Sequence, residues 1–163
     1  RSRRRGPMAV ASRLQDYLAQ QNIDYEVSTH EPTETATHSA QTAHVPGSQL
    51  AKAVILKHEH GFVMAVLSAN DHVHLGRLGQ SLGRTVGLAT EDEVSDIFSD
   101  CELGAVPPVG DAYGLEMVVE EALDGEPEIY FEGGDHKSLV HVSSGQFQKL
   151  MAQARRISFG EHV

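Results

Sequence analysis

The sequence is short of positive charge, of cysteine and of long apolar runs, and each shortage excludes something. Lysine and arginine number 13 against 23 aspartates and glutamates, for a net charge of −10. Without Arg1, Arg3, Arg4 and Arg5 of the opening "RSRRRGP", the rest stands four charges lower, at −14. So acidic a body is not a broad nucleic-acid binder, because phosphate affinity comes from Lys and Arg displacing counterions. A polyanionic partner has to be gripped locally, at few points. The one cysteine, Cys101, rules out an intramolecular disulfide and suits a reducing, cytoplasmic setting. Apolar runs such as "FVMAVL" are far too short to cross a bilayer. No apolar segment follows the basic opening, so it is not a secretory signal. Residues 1–7 read as a disordered extension or cloning remnant, Met8 as the natural start, and 8–163 as one domain.

What is present is ordinary for a globular chain: 163 residues, 40% hydrophobic and 22% charged, enough to bury a core. "ASRLQDYLAQQNI" carries Leu14, Tyr17 and Leu18 at helical spacing and predicts a helix ending near Asn22. "DYEVST" predicts a short strand, and "EPTETATHSAQTAHVPG" a loop with a short helix from Thr37. "AKAVILKHEHGFVMAVLSA" is two strand-like runs around a polar tip, a β-hairpin. Leu75, Leu78 and Leu82 predict a helix through "DHVHLGRLGQSLG", and "TVGLA" a short strand. Thr90/Glu93 and Ser143/Gln146 have capping-box spacing and mark two further helix starts, the last helix presenting Phe147, Leu150 and Met151. "LEMVVEE", "EIYFEG" and "SLVHVS" predict three more strands. The pattern is α+β, one domain with a mixed, mostly antiparallel sheet flanked by helices.

Ten histidines invite a metal reading, since pairs such as His58/His60 and His72/His74 share a strand face, with His136 and His141 further on. No HExxH or Cys/His cluster accompanies them, and solvated polar positions are the simpler account. Cys101 lacks any signature of a nucleophile and reads as a small buried hydrophobe. GxSxG, P-loop and flanked GxGxxG motifs are absent as well.

Two features remain. Lys52 enters a strand just after the "PGSQLA" bend, either as a snorkelling surface lysine or as a point charge aimed at a phosphate or carbonyl oxygen. Lys57 reads as a solvated end. In "CELGAVPPVG", Pro107 drives Val106 extended and Pro108 does the same to Pro107, and neither has an N–H. The N–H groups of Gly104, Ala105 and Val106 are then either part of a stiff corner or preorganised donors for an oxyanion.

In this order, "LAKAVILK", "FVMAVLSANDHVHLGRLGQSLG", "VGLATEDEV", "GAVPPVG" and "EIYFEGGDHKSLVHVSSGQFQKLM" resemble the YbaK/ProX family, from about residue 12 to 151. These are aminoacyl-tRNA deacylases, found also as the editing domain of bacterial prolyl-tRNA synthetases. The resemblance implies a partly barrel-like sheet and a free-standing hydrolase that cleaves the ester of mischarged tRNA carrying a small amino acid. It calls for no metal and no cofactor. Lys52 would be the essential lysine, Gly104, Ala105, Val106 and Pro107 the catalytic loop, and Pro108, Gly110 and His136 substrate contacts. The implied partners are the acceptor end of mischarged tRNA and, as a candidate, a prolyl-tRNA synthetase, with the protein a monomer or a homodimer. This chain departs from the pattern in having two residues between Gly104 and the first proline, with Pro108 restoring the usual three, and in lacking a glycine near Cys101. A binding module that keeps the fold without the reaction is the alternative. A pocket ringed by Lys52, Lys57, Arg77 or Arg84 would favour the hydrolase, and an acidic or closed rim the binder.

Overall fold

The structure, a computed structural model, describes residues 10–29, 45–102 and 104–162. Residues 1–7 and the short helix expected from Thr37 lie outside the described residues.

The centre is the predicted hairpin. β2 (Leu50–His58) and β3 (Gly61–Ser68) pair antiparallel from Ala51↔Ser68 to His58↔Gly61. Their apolar runs are continuous because both faces are covered. On β3, Met64 and Val66 enter one core, and Val63, Ala65 and Leu67 enter another on the opposite face. The same division runs through β6 (Glu116–Glu120), with Met117 and Val119 on one side and Val118 on the other.

Around this pair the sheet is mixed. β1 (Glu26–Thr29), β8 (Ser138–Ser143), β7 (Glu128–Glu132), β2, β3, β6 and β9 (Arg155–Ile157) form its path, with β5 (Gly87–Leu88) attached to β2. The β2–β7, β3–β6 and β6–β9 ladders are parallel and the others antiparallel. β4 (Asp71–Val73) and β10 (Gly160–His162) make a separate antiparallel ribbon. The strands β4, β9 and β10 carry no readable apolar period, and sequence reasoning had absorbed β4 into the following helix.

The first core packs α1 (Ser12–Gln20) and α4 (Ser144–Leu150) against the sheet through Leu14, Leu18, Phe147 and Leu150. α2 (Leu75–Leu82) covers the other face through Leu78, with Leu75 and Leu82 half-buried beside it. Helix ends follow the sequence closely. Asn22 takes a left-handed φ of 53° just past α1, a conformation Asn tolerates. Thr90 closes a full capping box with Glu93 at the start of α3 (Glu91–Ile97). The second box is only half made: Ser143 accepts from Gln146 N–H, but the Gln146 side chain turns away to accept from Asp24 N–H at 3.0 Å.

Candidate active site

β2 is paired with β3 along its length, but the ladder on its other edge is interrupted. The pairing to β7 covers Leu50 and Ala51, and that to β5 covers Leu56 and Lys57. The Leu50 carbonyl accepts on the β3 side, from Ala69 N–H at 2.8 Å, and the Ile55 carbonyl on the other, from Ala89 N–H at 3.0 Å. Strand alternation therefore turns the N–H and C=O of Ala53 into the gap between β7 and β5.

A cavity of about 130 Å³ occupies this gap. Ala51, Ala53 and Ile55 of β2, Val94 of α3 and Val106 give it an apolar side. Lys52, Gly104 and Glu132 complete the lining. Alternation explains the two-sidedness: Ala51 and Ile55 belong to the first core, so Lys52 stands on the opposite face of β2 with Leu56. On β7, Ile129 and Phe131 likewise enter the first core, leaving Tyr130 and Glu132 on the other face. Charge thus meets the cavity from one side of the sheet and hydrocarbon from the other. Burial lowers the pKa of Lys52, and the carboxylate of Asp71 pulls it partly back.

The proline loop is riveted from behind. Asp100 accepts from Arg13 N–H (3.0 Å) and Tyr113 O–H (2.8 Å), while the Arg13 guanidinium lies 5.5 Å from the Tyr113 ring centre. Glu102 N–H donates to the Gly134 carbonyl at 2.7 Å, tying the loop to the end of β7. Gly134 is required there: its φ is +114°, and an added Cβ would stand 3.0 Å from that of Ala11. Gly104 itself has φ +83° and is exposed at the cavity.

Of the loop residues singled out in the sequence, Gly104 and Val106 line the cavity. Among the described residues neither backbone N–H has an acceptor. Ala105 is corrected: its N–H donates to the Glu102 carbonyl at 3.1 Å and its side chain is fully buried, so it closes a turn rather than offering a donor. Pro107 and Pro108 are buried and do not line the cavity; they stiffen the loop. Gly110 is also corrected: its N–H faces Met117 Sδ at 3.0 Å, and a Cβ there would meet Met117 Cγ at 2.7 Å, so it packs into the core, away from the cavity. His136, at a left-handed φ of 62°, puts Nδ1 3.9 Å from Glu132 Oε2 and so reaches the cavity through that residue.

Of the cations whose presence would separate hydrolase from binder, one lines the cavity, beside Glu132. Lys57 pairs with Glu93 at 2.6 Å and Arg84 with Glu116 at 3.1 Å, and of the four named cations Lys52 alone lines the cavity. Burial pushes the Cys101 thiol up to about 12, the opposite of what an activated nucleophile needs. The histidines do other work: His58 accepts from His60 N–H across the hairpin tip, and His74 accepts from Arg77 N–H to cap α2. Among the described residues no three His, Cys, Asp or Glu side chains converge as a metal site would need. Sequence reasoning missed Glu132. An acid ending an apolar strand just before Gly-Gly was its only signal.

No helix among the described residues is long and apolar enough to cross a membrane. The model of the aminoacyl-tRNA editing domain matches residues 30–150. The chain is 27% identical over 155 residues to the "Multifunctional Ser/Thr-tRNA deacylase ProXp-y" of Escherichia coli K12, covering 90% of each. A solved structure described as a candidate trans-editing enzyme for prolyl-tRNA synthetase superposes with a TM-score of 0.82 at 25% identity, over 97% of this chain and 99% of that one. A second, described as hypothetical protein APE2540, shares the fold with a TM-score of 0.81 at 20% identity, over 92% and 100%.

Proposed function

This chain belongs to the aminoacyl-tRNA editing domain family, and on that premise we propose that it acts in trans to hydrolyse the ester of mischarged tRNAs carrying a small amino acid. The observation that carries this reading is the cavity in the β2 edge where Lys52 and the Gly104 loop meet.

An aminoacyl ester is already activated, so holding it and polarising its carbonyl accomplishes most of what the reaction needs. In the proposed arrangement the N–H groups of Gly104 and Val106 receive the carbonyl oxygen as it becomes an oxyanion. Water adds to the carbonyl carbon, the ester C–O bond breaks, and the proton of the water ends on the departing ribose oxygen. Lys52 holds a phosphate or the ester region of the terminal adenosine. The Ala51–Ala53–Ile55–Val94–Val106 side receives the amino-acid side chain. At about 130 Å³ the cavity is well below the roughly 300 Å³ lower bound of drug-sized sites, so it acts as a size sieve.

Among the described residues Lys52 is the one lysine or arginine lining the cavity, so in this reading contact with the acceptor end is brief and local, with tRNA choice left to the acceptor sequence or to a synthetase that hands over its product. The ProXp-y relative is named for Ser and Thr, so the candidate substrates are the esters of Ala, Cys, Ser and Thr. A deacylation panel of Ala-, Cys-, Ser-, Thr- and Pro-charged tRNAs tests the reading. We expect rapid hydrolysis of at least one of the Ala, Cys, Ser and Thr esters. Hydrolysis of none would leave the fold as a binding module.

A further inference from the structure

Resting on that reading, we propose that Asp71 is the positioning residue of Lys52: from the same face of the sheet its carboxylate steadies the ammonium without closing an ion pair on it, so that the N–H donors of the lysine stay available to the substrate.

The sheet brings the two side chains together. Lys52 stands directly across from Leu67 of β3, and Leu67 follows Val66, the partner of Val119 on β6. Glu120, next on β6, therefore completes a row Lys52–Leu67–Glu120 across three strands, on the face of the second core. The chain turns beyond Leu67 and returns as β4, whose Val73 packs against that core. Alternation then places Asp71, two residues earlier, on the same face. Its carboxylate lies at the Glu120 end of the row: a Cβ on Gly160 would stand 3.4 Å from Asp71 Oδ2 and 3.1 Å from Glu120 Oε1. β10 holds it there, with Gly160 opposite Val73, His162 opposite Asp71, and His162 Nδ1 3.5 Å from Asp71 Oδ1.

The acids nearby differ in what they do. Glu120 is engaged by the N–H groups of Phe159, Gly160 and Ala122. Asp71 faces a hollow of about 200 Å³ shared with Glu120, Glu126 and His162, and it does not line the Lys52 cavity. It therefore acts through Lys52 and not on the ester. Its charge offsets part of the cost of burying the ammonium. Lys57 and Arg84 are closed into ion pairs with Glu93 and Glu116, which occupy their donors. Lys52 has no such pair among the described residues. A carboxylate acting at longer range favours the charged lysine through the field alone and leaves its hydrogen bonds to be made elsewhere.

The test reads Lys52 directly. Its ¹³Cε resonance should titrate at lower pH in Asp71→Asn than in wild type, and Asp71→Glu, which keeps the charge, should restore the wild-type behaviour. His162, Glu120, Glu126 and Glu132 face this pair and are the same in every variant, so the difference isolates Asp71. On the best ester of the deacylation panel, Asp71→Asn is expected to lower kcat/KM about tenfold, within the range for residues coupled in one network, and the loss should grow as pH rises. In a Lys52→Ala background the same change should cost less than about twofold, because its route to the ester is gone. Melting temperatures are compared with wild type, and Asp71→Ser replaces Asp71→Asn if the latter does not fold. A Lys52 titration that Asp71→Asn leaves unmoved would overturn the proposal. So would an equal loss of activity with and without Lys52, the mark of a purely structural residue. Both results leave the editing reading standing. Wild type inert on every ester overturns the two together.

Discussion

Lys52→Ala is expected to lower kcat/KM for the edited aminoacyl-tRNA by about a hundredfold or more, the scale of losing one electrostatic contact made in the transition state. Lys52 is the only lysine or arginine at the cavity among the described residues, so no neighbouring cation can substitute. The same change should leave stability unchanged or slightly raised. Burial lowers the folded-state pKa of this lysine, so its charge costs folding free energy while it is protonated, and that cost is relieved as pH rises through the lowered value. Removing the side chain removes the cost. A loss of activity with an unaltered melting temperature is therefore the signature of a functional lysine. The pH dependence has a definite sign: the Lys52 contribution is present below its lowered pKa and fades above it, at lower pH than for a solvated lysine. Lys52→Ala within threefold of wild type would remove Lys52 from the chemistry.

Glu120→Ala should produce the largest loss of stability away from the cavity, about 3 kcal/mol. Glu120 ends β6, is 5% exposed, and accepts N–H groups from Phe159 (2.8 Å), Gly160 (2.6 Å) and Ala122 (2.9 Å). One carboxylate thus fixes both the turn after β6 and the approach to β10. Alanine leaves these donors without their acceptor, and Phe159, fully buried in the second core, is the residue that loosens first. Urea unfolding of the two proteins measures the difference, and a change under 1 kcal/mol would show that water replaces the carboxylate without loss.

These two residues also mark what could be read from the sequence. The place of Lys52 at the start of β2 was legible because its surroundings are local: a bend, then a strand whose β-branched run has one plausible partner in "FVMAVL". The order of that hairpin, the Thr90 capping box and the proline loop carried the family resemblance and, with it, the fold. Glu120 was not legible, because two of its three partners, Phe159 and Gly160, lie about 40 positions away, just before and at the start of a strand three residues long. The same limit applies to the site. The break in the β2 edge depends on a parallel ladder to β7 only two residue pairs long, a tertiary feature with no sequence period. Prolines showed that the 104–108 backbone is stiff, but not that Ala105 spends its N–H on Glu102, nor that Gly110 turns toward Met117. Glu132 was hidden by its own strand: alternation in "EIYFE" marks it as outward-facing, and only the tie between Glu102 and Gly134 brings a loop over it.

The central claim is that the gap in β2, between Lys52 and the Gly104 loop, receives the aminoacyl end of tRNA. The most direct measurement is a chemical-shift titration with a non-hydrolysable, amide-linked 3′-seryl-amino-3′-deoxyadenosine. Backbone amides of Ala53, Gly104 and Val106 should shift together and saturably, with Gly110 and the exposed tip at His60 unmoved. Shifts confined to the groove along α2, lined by Gly76, Gly79 and Arg84, with Ala53 and Gly104 silent, would contradict it.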